Sequence, residues 1–493
     1  MTGRSTEPLH VLVIGAGLSG VCVGYHLRRA GIADFRIVEA SDSVGGTWHH
    51  NTYPGVVCDV PSHLYCYSFR PNPDWSHVYS PGAEIRDYIE TCADEFGLTD
   101  DIVLDCRVDQ LVFDESTGRW QVVFDDGTGI EARHIVRATG GLHVPRWPEI
   151  PDRKSYGGAM MHSARWDHSV DFDGVRVGVI GSAASAVQIV PKIAKRAAQL
   201  TVFQRTPSWI LPRDESEFSE EQKREFREHP ETLTALHEEL YGYRHEVLHP
   251  LFFMDDVGEA FREVAVAMAL EHLEESIADP ELRSKLTPDY TFGCKRLLIS
   301  SDFYPALTED HVALVTDPIE RFDPAGLVTA DALLHELDVI VCATGFDLEA
   351  HTRGIEVIGR GGESLGDRWI DRPEAYRQVT VPGFPNLFWV GGPNSGSGYL
   401  SMTSTMEPDT EYTVRAIELA GKDHVLEVRS DACDDYNRDL RARLAETVWA
   451  GDCKSWYKRP DGRITTLYPG TADEYAADKA VIDLDHYLLT PIP

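Results

Sequence analysis

The chain has 493 residues, of which 46 are Lys or Arg and 80 are Asp or Glu, for a formal net charge of −34. So acidic a chain lacks the basic surface that nucleic acid or anionic lipid requires, and its excess charge reads as a well-solvated exterior. Hydrophobic content is an ordinary 42%; the length suits two or three domains, and no run reaches the roughly 18 uninterrupted apolar residues of a membrane helix.

Residues 10–31 read HVLVIGAGLSGVCVGYHLRRAG. A short apolar strand, Val11 to Ile14, runs into Gly15, Gly17 and Gly20. A helix follows, then a second strand, FRIVEA, containing Glu39. A dinucleotide site needs this order. Gly15 makes the tight turn, Gly17 lets the backbone approach a pyrophosphate, and Gly20 lets the helix pack on the strand. The helix N-terminus, with Ser19, faces the anion. Glu39 stands where a carboxylate accepts from ribose hydroxyls. A further strand, HIVRATGG (134–141), ends in small residues that let the chain cross close to a cofactor. Pro145, Pro148 and Pro151 then punctuate a stiff crossing.

The pattern repeats at residues 176–206, RVGVIGSAASAVQIVPKIAKRAAQLTVFQRT. Gly181 takes the turn, followed by Ser182, Ala183, Ser185 and Ala186. Ala186 in the third glycine position is tolerable. Ala183 in the second puts a methyl group where backbone should approach phosphate. Glu39 lies 24 positions after Gly15, and Arg205 lies 24 after Gly181. An acid suits free ribose hydroxyls and an Arg suits a 2′-phosphate. The reading is therefore FAD in the first unit and NADPH in the second.

Residues 214–292 are charged and helical in character, with Val266, Leu270, Leu273 and Ile277 spaced as one buried face. DVIVCATGFD (338–347) then ends as HIVRATGG does. The expected architecture is α/β, with two Rossmann-like, doubly wound dinucleotide-binding domains and a helical insertion. The FAD domain would comprise 1–144 and 377–493, the NADPH domain 152–213 and 293–376, and the insertion 214–292. The nine cysteines are scattered, odd in number and never CxxC. That predicts neither a disulfide framework nor a structural zinc site, and suits a reducing cytoplasm.

Two longer stretches carry a family resemblance. YGGAMMHSARWD (156–167) places Gly158, His162, Trp166 and Asp167 in register with a signature between two nucleotide units, with Tyr156 where the signature has Phe. GGTWHHNTYPGVVCD (45–59) matches a second signature through Gly46, Trp48, Tyr53, Pro54, Gly55 and Asp59. On these the chain resembles the Baeyer–Villiger monooxygenases. Similarity continues through QRTPSWILPR (204–213), GCKRLLISSDFYP (293–305), PNLFWVGGPNSGSGYLSM (385–402) and KSWY (454–457), so it covers nearly the whole chain.

The resemblance implies that NADPH reduces the flavin, that reduced flavin forms an anionic peroxide with O₂, and that this attacks a ketone on the way to an ester or lactone. Arg296 occupies the catalytic arginine position, and Asp59 matches the acid that orients it. A guanidinium holds an anion without protonating it. Lys295 would join Arg205 and Thr206 on the 2′-phosphate. Thr47, Trp48, Asp59, Tyr65, Val108 and Met402 would lie at the flavin, the last with the loop Asn394 to Ser401. Trp456 resembles a mobile-loop tryptophan that meets the nicotinamide cofactor. His162 is implied to support domain movement rather than proton transfer, with Trp166 anchoring the same segment. The partners are then a small ketone and O₂. The nearest alternative is a flavin monooxygenase that oxidises sulfur or nitrogen. A disulfide reductase would need a redox cysteine pair, and Cys58 and Cys66 lack the pattern. A nucleotide-binding regulator without turnover has only Ala183 in its favour.

Overall fold

The computed structural model describes residues 7–347 and 354–492. The remaining positions, which the sequence-based domain ranges also span, lie outside this description. Two sheets dominate. In the first, Leu9–Ile14 lies between Phe35–Val38 and Gly129–Arg137 and runs parallel to both. Burial on both faces explains its unbroken apolar run, HVLVI. Ile102–Val103 extends this sheet beyond Phe35–Val38, and Leu387–Trp389 joins it at Gly129–Arg137. On the other side it turns antiparallel through Arg119–Phe124 and Val108–Asp114, whose alternating burial marks a sheet wetted on one face.

The second sheet has five strands, all parallel, in the order Val312–Val315, Gln199–Phe203, Arg176–Ile180, Val339–Cys342, Ala159–His162. The chain leaves the first sheet after Arg137 and enters the second at Ala159. Its return differs from the sequence reading. Glu356–Ile358 pairs in parallel with Val108–Asp114, so the chain is back in the first sheet well before residue 377. A three-residue edge strand carries no motif, whereas the later PNLFWVGG segment does.

The insertion carries the helices Glu220–Glu228, Pro230–Tyr243, Asp256–Ser276 and Pro280–Leu286. The buried face of the longest is only partly the one expected. Ala265, Ala269 and Leu273 are buried, Ile277 just beyond is fully covered, Val266 is half-buried, and Leu270 is 38% exposed. Small alanines let this helix approach Trp209, Leu251 and Phe292 closely, so the contact stripe follows volume rather than hydrophobicity. A short parallel ladder joins Ile210–Leu211 to Leu298–Ile299, and it draws residues 293–299 alongside the end of the second nucleotide unit.

Cys294 and Cys453 form a disulfide, with Cα atoms 6.4 Å apart, against the expectation of unpaired thiols. The partners are 159 residues apart, and only the fold brings them together. The other seven cysteines are free, six of them buried. Among the described residues no helix is long and apolar enough to cross a membrane.

Candidate active site

The first nucleotide unit is built as its glycines require. Gly15 has φ +105°, and a Cβ there would stand 2.6 Å from the Ala138 carbonyl oxygen. A Cβ on Gly20 would stand 1.8 Å from the Gly15 oxygen. Gly17 is different: its nearest neighbour for a Cβ is Gly46 Cα at an ordinary 3.5 Å. Protein packing therefore does not demand Gly17, and the free space over it fits close approach by a pyrophosphate. The helix Leu18–Arg29 starts here, with Ser19 half-buried in its first turn. Glu39 is buried; its carboxylate accepts from Ala16 N–H at 2.7 Å and from Ser41 N–H at 2.9 Å. It thus lies beside the glycine turn, where ribose hydroxyls would reach it.

The second unit repeats the plan. Gly181 has φ +115°, and its Cβ would meet the Ala343 oxygen at 2.5 Å. The two ATG strand ends serve one purpose: Ala138 N–H donates to the Ile14 carbonyl and Ala343 N–H to that of Ile180, each at 2.9 Å. Ala183 has φ −98° and ψ −163°, close to the −80° and −167° of Gly17. Its conformation is open to any residue, and its side chain is exposed. Ala186 is buried, and Ser182 Oγ donates to the Thr206 carbonyl at 3.2 Å. Arg205 is exposed beyond the strand end. Lys295 stands over the Tyr290 ring with Nζ 4.1 Å from its centroid. Burial lowers the Lys295 pKa first, and the nearby Arg205 charge lowers it further. Arg205 and Lys295 are thus two cations close enough to repel, with no salt bridge to either among the described residues.

The Gly45–Asp59 segment bridges the two units. Gly46 backs onto Gly17, and Thr47–His50 forms a single helical turn. Trp48 Nε1 donates to Tyr65 Oη at 3.1 Å. Tyr53 Oη donates to Gln188 Oε1 at 2.9 Å, and Gln188 Nε2 donates to the Val57 carbonyl at 2.9 Å. Gln188 lies on Ala184–Ala194, the helix that opens at Ala183. Ser185, on the same helix, acts on the Tyr53 hydroxyl against the burial that raises its pKa. A Cβ on Gly55 would stand 2.7 Å from the Gln188 oxygen, so only glycine allows this approach. Val108 is buried at the start of its strand.

Asp59, at the end of this bridge, meets Arg296. Nε donates to Oδ2 at 2.9 Å and Nη2 to Oδ1 at 2.8 Å, a two-pronged pair with side chains 31% and 24% exposed. Burial alone would raise the Asp59 pKa, but Arg296 outweighs it and holds the carboxyl below its usual range. For Arg296, burial works against the charge and Asp59 more than restores it, so its pKa lies above the usual value. Tyr457 lies near enough to Arg296 for the guanidinium charge to act on its hydroxyl, but burial dominates and pushes its pKa up to about 12.

The interdomain signature is structural. A Cβ on Gly158 would meet the Tyr156 hydroxyl at 2.3 Å and the Asp338 oxygen at 2.6 Å. Tyr156 Oη donates to the Leu337 carbonyl at 3.1 Å, which gives the Phe-to-Tyr departure a use. His162 is buried, accepts from Ala164 N–H at 3.1 Å, and has a pKa pushed down to about 4, chiefly by burial. A ring so held is neutral. Trp166 stacks on Phe172 at 5.3 Å, and Asp167 accepts from Ser169. Met402 and Trp456 are 43% and 51% exposed, so Trp456 is not a core residue; it packs on Tyr457 at 4.3 Å.

Comparison with known proteins decides the family. A family model described as FMO-like, flavin-binding monooxygenase-like, matches residues 9–219. A Baeyer–Villiger monooxygenase of Streptomyces coelicolor is 40% identical over 99% of this chain and 94% of its own length. One of Pseudomonas aeruginosa is 38% identical over 100% of this chain and 93% of its own. The chain belongs to the Baeyer–Villiger monooxygenases. Solved structures agree. OTEMO in complex with FAD and NADP superposes with a TM-score of 0.89 at 28% identity, covering 98% of this chain and 100% of that one. An oxidised steroid monooxygenase bound to NADP gives 0.85 at 32%, over 98% and 99%.

Three site residues of this monooxygenase escaped the sequence reading. Gln188 joins the two units, and Tyr457 lies within reach of the Arg296 charge. Arg244, on a π-helical turn of the insertion, sits near enough to Asp59 and Arg296 for its charge to act on both. The signal for Arg244 was a lone basic residue in the aromatic run YGYRHEVLHPLFF.

Proposed function

We propose that Arg296 and Asp59 are the catalytic pair of an FAD- and NADPH-dependent oxidation that converts a ketone to an ester or lactone with O₂. The observation that carries this reading is the two-pronged Arg296–Asp59 bond, placed where the bridging segment of the first unit meets the ladder that continues the second. Gly15, Gly17, Ser19, Gly20 and Glu39 would hold FAD, with Thr47, Trp48, Tyr65, Val108 and Met402 about the flavin. Gly181, Ser182, Ala183, Ser185 and Ala186 would hold the NADPH pyrophosphate, and Arg205, Thr206 and Lys295 its 2′-phosphate. The flavin, when bound, supplies hydride acceptance and oxygen activation.

The residues supply charge and dryness. Two of the five guanidinium donors of Arg296 are committed to Asp59, which fixes the plane of the group and leaves the others for negative charge developing during oxygen insertion. Because Asp59 keeps Arg296 protonated, the anion beside it is stabilised and not quenched. Trp456, exposed on its loop, would meet the nicotinamide end of NADPH. His162, neutral across the physiological range, takes no proton in this scheme.

The test is Arg296→Ala, assayed with a ketone and a sulfide. The variant should stay yellow and reducible by NADPH, and ester formation should fall by at least ~10²-fold. Ester formation near the wild-type rate would overturn the assignment of Arg296. Sulfoxide as the only product of the wild-type enzyme would overturn the ketone reading.

A further inference from the structure

Arg244 has no role in the scheme so far. It opens the turn Arg244–Leu248, the point at which the helix Pro230–Tyr243 loosens into π-helical hydrogen bonding. Such turns reaim a side chain and are frequent at functional sites. Nη1 donates to the Tyr399 carbonyl at 2.7 Å, within the Asn394–Ser401 loop. Its guanidinium lies near enough to the Tyr79 hydroxyl for its charge to act on it, against the burial that raises the Tyr79 pKa. The rings of His245 and His249, from the same turn, pack on Tyr399 at 6.5 and 4.8 Å. One side chain of the insertion thus holds the loop and carries its charge to the Asp59 site.

We propose that Arg244 is a positioning residue for the reaction: a fixed guanidinium that pins the Asn394–Ser401 loop through Tyr399 and adds a second positive charge near the Asp59–Arg296 pair. The proposal rests on the reading of Arg296 given above. Among the described residues Asp59 is the carboxylate whose charge acts on both guanidinium groups, so the cluster keeps a net positive charge to offer an anion. The other titratable groups facing Asp59 are Tyr53, Cys58, Tyr65, Tyr79 and Tyr457, all with raised pKa values and neutral at pH 7. Burial raises the Asp59 pKa, and Arg296 and then Arg244 lower it. Loss of Arg244 therefore raises it, and the acid limb of the rate profile moves to higher pH.

Arg244→Ala should bind FAD normally, lose roughly tenfold in ester formed per second, and shift its acid limb upward. Hydrogen exchange should quicken in the peptide that contains Tyr399. Arg244→Lys should restore the acid limb, because it restores the charge, and only part of the loop protection. An unchanged acid limb with unchanged exchange would overturn the proposal. So would an equal shift in Arg244→Lys, which would mark a purely structural role. If Arg296→Ala keeps full ester formation while Arg244→Ala loses it, the reading of Arg296 fails and not that of Arg244.

A separate observation carries a second inference. Cys294 immediately precedes Lys295 and Arg296, and Cys453 lies three residues before Trp456. Their disulfide ties the segment with the reactive cation to the loop with the exposed tryptophan. We infer that this bridge is a redox-controlled tether on the Trp456 loop. In the closing direction a disulfide oxidant such as oxidised glutathione takes two electrons from the two thiols, and both protons leave on the glutathione thiols; a dithiol reverses the exchange. Enzyme equilibrated with oxidised glutathione should resist alkylation at both cysteines, and dithiothreitol should expose both. Reduction, or Cys453→Ser, should speed tryptic cleavage at Lys454 and raise the KM for NADPH severalfold. Full alkylation after oxidised glutathione, or cleavage and KM indifferent to reduction, would overturn it.

Discussion

The two nucleotide units are one design executed with different tolerances. Both fold a strand, a positive-φ glycine and a helix, and both press that glycine against the alanine of an ATG strand end, where an added Cβ would stand 2.6 Å from the alanine oxygen in one and 2.5 Å in the other. They part at the third glycine position. In the first unit the helix closes so tightly that a Cβ on Gly20 would lie 1.8 Å from the Gly15 oxygen, whereas the second buries Ala186 at the same point. They part again at the end, where the first has buried Glu39 and the second exposed Arg205. The first unit is thus a rigid cradle, suited to a group that stays. The second is looser and more open, suited to a cofactor that must come and go.

The sharpest way to break this contrast is to exchange the residues at the third position. Gly20→Ala forces backbone against backbone and should cost ~3 kcal/mol or more, at the top of the usual range for overpacking. Ala186→Gly should cost only about 1 kcal/mol, the ordinary price of glycine in a helix. Flavin content per chain and the thermal midpoint give both numbers. Equal losses would show that the two helices close with the same tolerance.

The ends of the units give the next effect. Arg205→Glu copies the first unit's acid into the second. Charge-assisted hydrogen bonds are worth about 1.5–3 kcal/mol, so KM for NADPH should rise on the order of ten- to a hundredfold. KM for NADH should stay the same or fall, because NADH offers free ribose hydroxyls to an acid. Steady-state rates with each coenzyme decide it, and parallel losses for both would remove Arg205 from the 2′-phosphate.

These contrasts also mark what was legible in the sequence. Gly15, Gly20, Gly181, Glu39 and Arg205 were readable because a dinucleotide unit places its demands locally, within one strand, turn and helix. Asp59 and Arg296 lie far apart in the chain, and only the family motifs tied them; the structure then brought them within 2.8 Å. Gln188, Tyr457 and Arg244 escaped because each acts across a long-range contact that no periodicity records. The Cys294–Cys453 bridge escaped for the same reason. The face of the Asp256–Ser276 helix was partly misread because hydrophobicity was used where side-chain volume decides: Leu270 points outward and two alanines make the contact.

The smallest effect concerns Ala183, where sequence and structure pull in different directions. The sequence reading saw a methyl group in the way of phosphate. The structure shows a residue in the same extended conformation as Gly17, exposed and unstrained. Backbone geometry therefore gives glycine no advantage, and any gain from Ala183→Gly must come from closer approach of the anion alone. Glycine is also at least as good as alanine at a helix N-cap, so the change should not destabilise the helix Ala184–Ala194. The expected outcome is an unchanged thermal midpoint with a twofold to threefold lower KM for NADPH, roughly 0.5 kcal/mol. Gly17→Ala is the mirror experiment. A Cβ there makes only a 3.5 Å contact with Gly46, so the protein should fold while its hold on FAD weakens. If Gly17→Ala instead unfolds the first unit, the space over Gly17 is required by the protein and not by the pyrophosphate. The reading of Ala183 as a tolerated methyl group in the second unit would then lose its basis.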